Sequence, residues 1–216
     1  MISDQVRYES VKRLNKTHAD VKKVIRDFKE DSGEKIFENL HSSTVKKALG
    51  SIGIYNNVSR SVESIVDEVV PNATLNGLNS LKTHDNYSFN HSIDVTIISV
   101  MIGKKTSLNV RQLMELATGC LLHDIGKVFI PQSLLNKSGK LTEEEFDLMK
   151  EHTTMGYELL KDSLPIMPTH IAYQHHERQD VSGYPRGFEW LQHHQSAGHV
   201  QPDNHIWRNF CCSGCL

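Results

Sequence analysis

The stretch from Val110 to Pro131 constrains the fold most. Val110, Leu113, Met114, Ala117 and Leu121 recur at the spacing of a helix with one buried face, and this stripe delivers the dipeptide His123 and Asp124 to its C-terminal end. Gly126 and Pro131 are expected to loosen and end that helix. An adjacent imidazole and carboxylate at a helix end, with more histidines spaced behind them, suggest a metal-dependent hydrolase.

The remaining metal-capable residues sit on other helical patterns. Ile93, Ile97, Val100 and Met101 give a buried helical face with His91 near its start. Thr142 and Glu145 form a capping-box pattern ahead of Phe146 and Met149, opening a helix that carries His152. After Pro165 and Pro168, THIAYQHHE reads as a short helix ending in His175 and His176. Residues 1–83 also read as helical, with Val6, Val11, Leu14, Val21, Ile25 and Phe28 interleaved with charge and no β-branched alternation. They show no glycine-rich phosphate loop, receiver-like strand pattern or repeat, so the expectation is a packing or dimerising scaffold rather than a ligand sensor. The fold class is all-α.

Texture changes at Phe188. Residues 188–216 hold both tryptophans and three of the four cysteines, with neither helical nor strand periodicity, and are expected to form an irregular tail not native to the fold. Cys211, Cys212 and Cys215 lack a second spaced pair, so neither a zinc site nor a disulfide framework is expected. His84 with Asp85 lacks an apolar approach helix and reads as a loop pair; His193, His194, His199 and His205 read as surface residues. A chain of 216 residues with net charge −2 suits one core plus a small appendage and offers no global basis for nucleic-acid or membrane binding. An anionic substrate then needs local cations. The longest apolar run, at 95–103, is too short to span a bilayer, and the first ten residues lack a signal-peptide apolar region, so the expectation is a soluble cytoplasmic protein.

LLHDIGKVFIP and HHERQDVSGYPRG together resemble the bacterial HD-GYP domain family: His123 and Asp124, then His175, His176 and Glu177, a following Asp180, and Gly183, Tyr184 and Pro185. Any one of these histidines alone reads as an ordinary polar contact; six metal-capable residues in the family's order do not. The resemblance implies an HD-type helical bundle over 84–187 and a cyclic di-GMP phosphodiesterase yielding the linear dinucleotide or GMP. A catalytically impaired signalling module and a phosphodiesterase for cyclic GMP-AMP are the alternatives. Taken residue by residue, it implies His91 as a ligand of the first metal and His123 with Asp124 as the HD pair, the aspartate bridging two metals. His152, His175 and His176 would supply the second metal. Two divalent ions are implied, iron or manganese favoured, and imidazole with carboxylate but no thiolate is consistent with that. Such a pair shares and deprotonates a water and neutralises phosphoryl oxygens. Lys127 is implied as a catalytic contact to the scissile phosphate, on the face of His123 if the helix continues. Gly183, Tyr184 and Pro185 are implied to shape the site and to contact partner signalling proteins; Arg186 either assists an anionic substrate or is a solvated loop residue. A homodimer is a further expectation.

Three positions depart from the family's pattern. Tyr87 stands where members with three metals carry glutamate, which points to a two-metal site. Val181 replaces a glycine, and if that position needs a positive φ, a β-branched residue strains it. The family's later aspartate ligand falls near Asn204; Asp203 lies one residue early in PDNHIWR, without the apolar approach of a core helix, and is not taken as that ligand. Loss of one ligand weakens the first metal's binding. A frameshift or truncation is the expected origin of 188–216. If so, one of the other two frames of the encoding DNA continues with an apolar helix bearing an aspartate; neither doing so rejects the idea.

Overall fold

Two helix starts are fixed locally by reciprocal hydrogen bonds. The Glu145 N–H donates to Thr142 Oγ1 at 3.2 Å while the Thr142 N–H donates to Glu145 Oε2 at 2.8 Å, the box expected from the sequence. Asn109 and Gln112 make the same exchange, at 3.0 Å in both directions, a box the sequence reading did not find. In the computed structural model, residues 2–32, 42–71 and 87–187 are described. The tail with Asp203 and its cysteines, the His84–Asp85 pair and the Tyr87 side chain lie outside them.

The elements run α1 (Asp4–Ser32), α2 (Ser43–Ser51), α3 (Ile54–Val69), α4 (Tyr87–Lys105), α5 (Val110–Leu122), a 3-10 turn (Ile125–Phe129), α6 (Gln132–Leu135), α7 (Glu143–Leu160) and α8 (Ile166–Gln174). No strand occurs among the described residues, as an all-α fold requires. Helix α5 is central, packing on α4, α8 and α3, while α1 packs on α3, α4 and the 3-10 turn. Leu14 and Val21 from α1, Ile65 from α3, Ile93 from α4, Leu121 from α5 and Leu160 from α7 belong to one buried cluster. The helices of the first seventy residues therefore share the core of the histidine-bearing helices. No described helix is long and apolar enough to cross a membrane.

Three local expectations need correction. Val110 heads the α5 stripe but, at the first position of the helix, is 66% exposed. Helix α5 ends at Leu122, before Gly126, and a 3-10 turn follows. Lys127 thus reaches Asp124 through that tighter turn rather than through a continued helix. Gly126 also has a different reason from helix termination: a Cβ there would lie 1.9 Å from the His152 carbonyl oxygen and 2.6 Å from the Gly156 nitrogen. Only glycine lets the turn approach the α7 backbone so closely.

Beyond α8 the chain folds back on itself. The Tyr184 N–H donates to the His176 carbonyl at 3.2 Å and the Val181 N–H to that of Arg178 at 3.2 Å. Gly183 allows the return, since a Cβ there would stand 2.3 Å from the Arg178 nitrogen. Val181 has φ 58°, in the left-handed region, so the strain foreseen for a β-branched residue in place of glycine is present. With its side chain 44% exposed, packing does little to offset that cost. Val181→Asn, which tolerates this conformation, is expected to stabilise the protein by about 1 kcal/mol, read as a higher midpoint in thermal denaturation. An unchanged or lower midpoint would show that the loop holds no such strain.

Candidate metal centre

Three histidines are set by one repeated device. The Nδ1 atoms of His123 and His152 lie 2.7 and 2.6 Å from the carbonyl oxygens of Cys120 and Met149, and that of His175 lies 3.1 Å from Ala172 O. A carbonyl only accepts, so each Nδ1 carries a proton and each ring turns its Nε2 inward, as a bare lone pair where the ring is neutral. The helix that carries each histidine supplies the carbonyl, so backbone geometry fixes both tautomer and ring direction.

These lone pairs converge on Asp124, which the end of α5 holds at the bottom of the site. Asp124 Oδ1 lies 3.5 Å from His152 Nε2 and 3.6 Å from His175 Nε2, too far for hydrogen bonds. It is buried without a hydrogen-bond partner. The two Nε2 atoms stand 3.2 Å apart. Facing lone pairs at that distance repel unless a cation lies between them. Ligand atoms each about 2.1 Å from a common ion are separated by roughly 3.0 to 3.4 Å, so the donor set fits a metal ion. Among the described residues the candidate ligands form two groups that share one member: Asp124, His152, His175 and His176, and His91, His123 and Asp124. All six residues that the sequence singled out as metal-capable are thus brought together.

Electrostatics favours neutral rings at His91, His152, His175 and His176 around an ionised aspartate. Burial opposes charge on Asp124, but His123 beside it at 3.3 Å and Lys127 outweigh this and hold its carboxyl well below the usual carboxylate range. Burial and the neighbouring His175 push His152 down to about 4, and burial with His175 and His152 pushes His176 down to about 3. Burial lowers His175 and His91 as well, His123 adding to the effect on both. Burial also works against charge on His123, yet Asp124 prevails and raises it. There a proton and a metal ion compete for the same nitrogen.

The loop after α8 braces this cluster. Tyr184 stacks on His176, ring centroids 4.6 Å apart and planes 21° apart, and meets Phe146 of α7 edge-on at 6.1 Å. Glu177, fully buried, accepts the Arg186 N–H at 2.7 Å. In the sequence Glu177 stands out only as part of HHE; its burial beside two candidate ligands comes from the fold. Arg186 has an exposed side chain, and its charge acts on His170. Lys127 Nζ lies 2.7 Å from Asp124 Oδ2, with its side chain 30% exposed. Tyr184→Ala is expected to weaken Mn(II) binding by about tenfold, the low end for loss of a group that orients a ligand, while Tyr184→Phe stays near wild type. Titration calorimetry checks this; equal affinities for all three proteins would remove the bracing role.

The HD domain family matches residues 73–190, which is more than half of the chain. A cyclic di-GMP phosphodiesterase of Pseudomonas aeruginosa is 37% identical over 131 residues, covering 57% of this chain and 31% of that relative. A cyclic di-GMP phosphodiesterase of Thermotoga maritima is 40% identical over 116 residues, 52% of this chain and 32% of the relative. A 3'3'-cGAMP-specific phosphodiesterase of Vibrio cholerae is 35% identical over 125 residues, 57% of this chain and 29% of the relative. The chain spans about a third of the length of these relatives. Both ligand groups, from His91 to His176, fall inside the matched region, and the chain belongs to the HD domain family.

Proposed function

We propose that this chain carries the metal centre of a cyclic dinucleotide phosphodiesterase acting on cyclic di-GMP. The observation that supports it best is the sharing of Asp124 between two ligand groups whose imidazole lone pairs are already aimed inward. His91, His123 and Asp124 would hold one ion and Asp124, His152, His175 and His176 the other; the ligand chemistry favours Fe(II) or Mn(II). Bound ions of this kind supply a nucleophile at neutral pH and offset charge on phosphoryl oxygens.

The protein's own groups do the rest. Backbone carbonyls keep the imidazoles in the tautomer that binds metal. Lys127, ion-paired with Asp124 and partly exposed, is a point charge that a scissile phosphate engages as negative charge develops. Gly183, Tyr184 and Pro185 form the wall beside His176, and Arg186, whose side chain is exposed, acts as a solvated loop residue. The loop's exposed edge at Val181 and Ser182 is the surface proposed for partner signalling proteins. Relatives named for cyclic di-GMP and for 3'3'-cGAMP match at similar identity, which makes the second dinucleotide the necessary comparison substrate.

The test uses protein purified without oxygen and supplied with Fe(II) or Mn(II), with bound metal counted on the same sample. Turnover of cyclic di-GMP with about two ions per chain, and loss of both turnover and the second ion in Asp124→Ala, is the expected result. Hydrolysis surviving in Asp124→Ala would overturn the shared-carboxylate mechanism. No cleavage of either dinucleotide by metal-replete protein would overturn the assignment.

A further inference from the structure

One aromatic ring beside the loop that covers His176 belongs neither to the buried core nor to the ligand groups. Phe146, near the start of α7, is 46% exposed, the only exposed phenylalanine among the described residues. A frayed helix end does not account for this, because the reciprocal hydrogen bonds of Thr142 and Glu145 pin the first turn. Ring contacts fix its place relative to the metal centre. Tyr184 meets Phe146 edge-on at 6.1 Å, stacks on His176 at 4.6 Å and meets His152 edge-on at 6.4 Å. A single tyrosine ring therefore connects Phe146 to two candidate ligands of the same ion. Phe146 also precedes His152 on α7 by six residues, about 9 Å along the helix axis.

That offset suits the parts of a nucleotide. With a phosphate at the ions, a ribose separates it from its base, and the base comes to an exposed ring one aromatic layer away from His176. Every nucleobase has a π-face, so an open phenylalanine holds one by stacking, whichever base it is. Lys150 Nζ now lies over the Phe146 ring, 4.8 Å from its centroid, and 2.6 Å from Asp147 Oδ1. A cation–π contact at an exposed position is weaker than base stacking. An arriving base therefore displaces the ammonium, which Asp147 retains beside the ring.

We propose that Phe146 is a nucleobase platform at the rim of this centre, stacking one base of a nucleotide whose phosphate lies at the metal site. This rests on the phosphodiesterase reading for the nucleotide being a cyclic dinucleotide, but not for the stacking itself. The alternative is that Phe146 only braces Tyr184 over His176. Bracing acts through the metal ligands and affects every phosphate ligand alike, whereas a platform affects only ligands that carry a base.

The experiment compares wild type, Phe146→Ala and Phe146→Trp as the whole chain loaded with Mn(II), with metal counts and melting temperatures measured on each. Calorimetric Kd for GMP and for ribose 5-phosphate, which lacks the base, and KM and kcat for cyclic di-GMP are the readouts. Wild type is expected to bind GMP more tightly than ribose 5-phosphate. Phe146→Ala is expected to bind GMP about tenfold more weakly, with KM for cyclic di-GMP rising in parallel. Ribose 5-phosphate affinity, metal content and kcat stay close to wild type, and Phe146→Trp restores GMP binding. Equal weakening of GMP and ribose 5-phosphate in Phe146→Ala, or wild-type GMP affinity in that variant, would overturn the platform. So would wild-type protein that binds GMP no more tightly than ribose 5-phosphate. If wild type does not cleave cyclic di-GMP, the substrate reading fails, and the comparison of GMP with ribose 5-phosphate still decides the platform.

Discussion

Proton placement on three imidazoles governs this site. His123, His152 and His175 each give the Nδ1 proton to a carbonyl of their own helix, and that leaves the Nε2 lone pairs of His152 and His175 facing each other at 3.2 Å. Without such fixed donors a buried histidine could turn or exchange tautomers and satisfy its neighbours with hydrogen bonds. With them, the facing Nε2 lone pairs of His152 and His175 stand beside an Asp124 oxygen that has no hydrogen-bond partner, and a divalent cation is the group that satisfies all three at once. Low imidazole pKa values follow from the same crowding, because burial and mutual repulsion oppose protonation of His152 and His176.

Backbone contact, more than side-chain packing, holds the geometry. The 3-10 turn after Asp124 lies against α7 at Gly126, where even one methyl group would strike the His152 carbonyl. The turn that positions Lys127 and the helix that positions His152 are therefore in direct backbone contact. On the other side, the return of the chain at Gly183 lays Tyr184 over His176. The left-handed Val181 is part of that return, and its strain is a cost the loop bears to make it.

Legibility varied with the range of the interaction. Helix starts with reciprocal caps were readable at Thr142 because the pattern is four residues long; the equivalent box at Asn109 and Gln112 was there to be read and was missed. Termination was less readable. Glycine at 126 reads as a helix breaker, whereas its use is close approach to a helix that begins many residues later. Val110 reads as core by periodicity, yet it stands largely exposed at the first position of its helix. Val181 could be flagged as a misfit in the signature, but its φ is a property of the folded loop.

The sequence by itself determined the all-α class, the helices that bear His91, His123, Asp124, His152, His175 and His176, and the chemistry those donors permit, because helical periodicity and donor identity are local properties of the chain. It could not expose Glu177 as a fully buried anchor for the loop or give Gly126 its role. Each depends on a surface made by another element: the returning loop for Glu177 and the α7 backbone for Gly126. Only the tertiary structure decided these, since proximity between distant segments follows from how the helices pack around a common core and leaves no pattern in neighbouring residues.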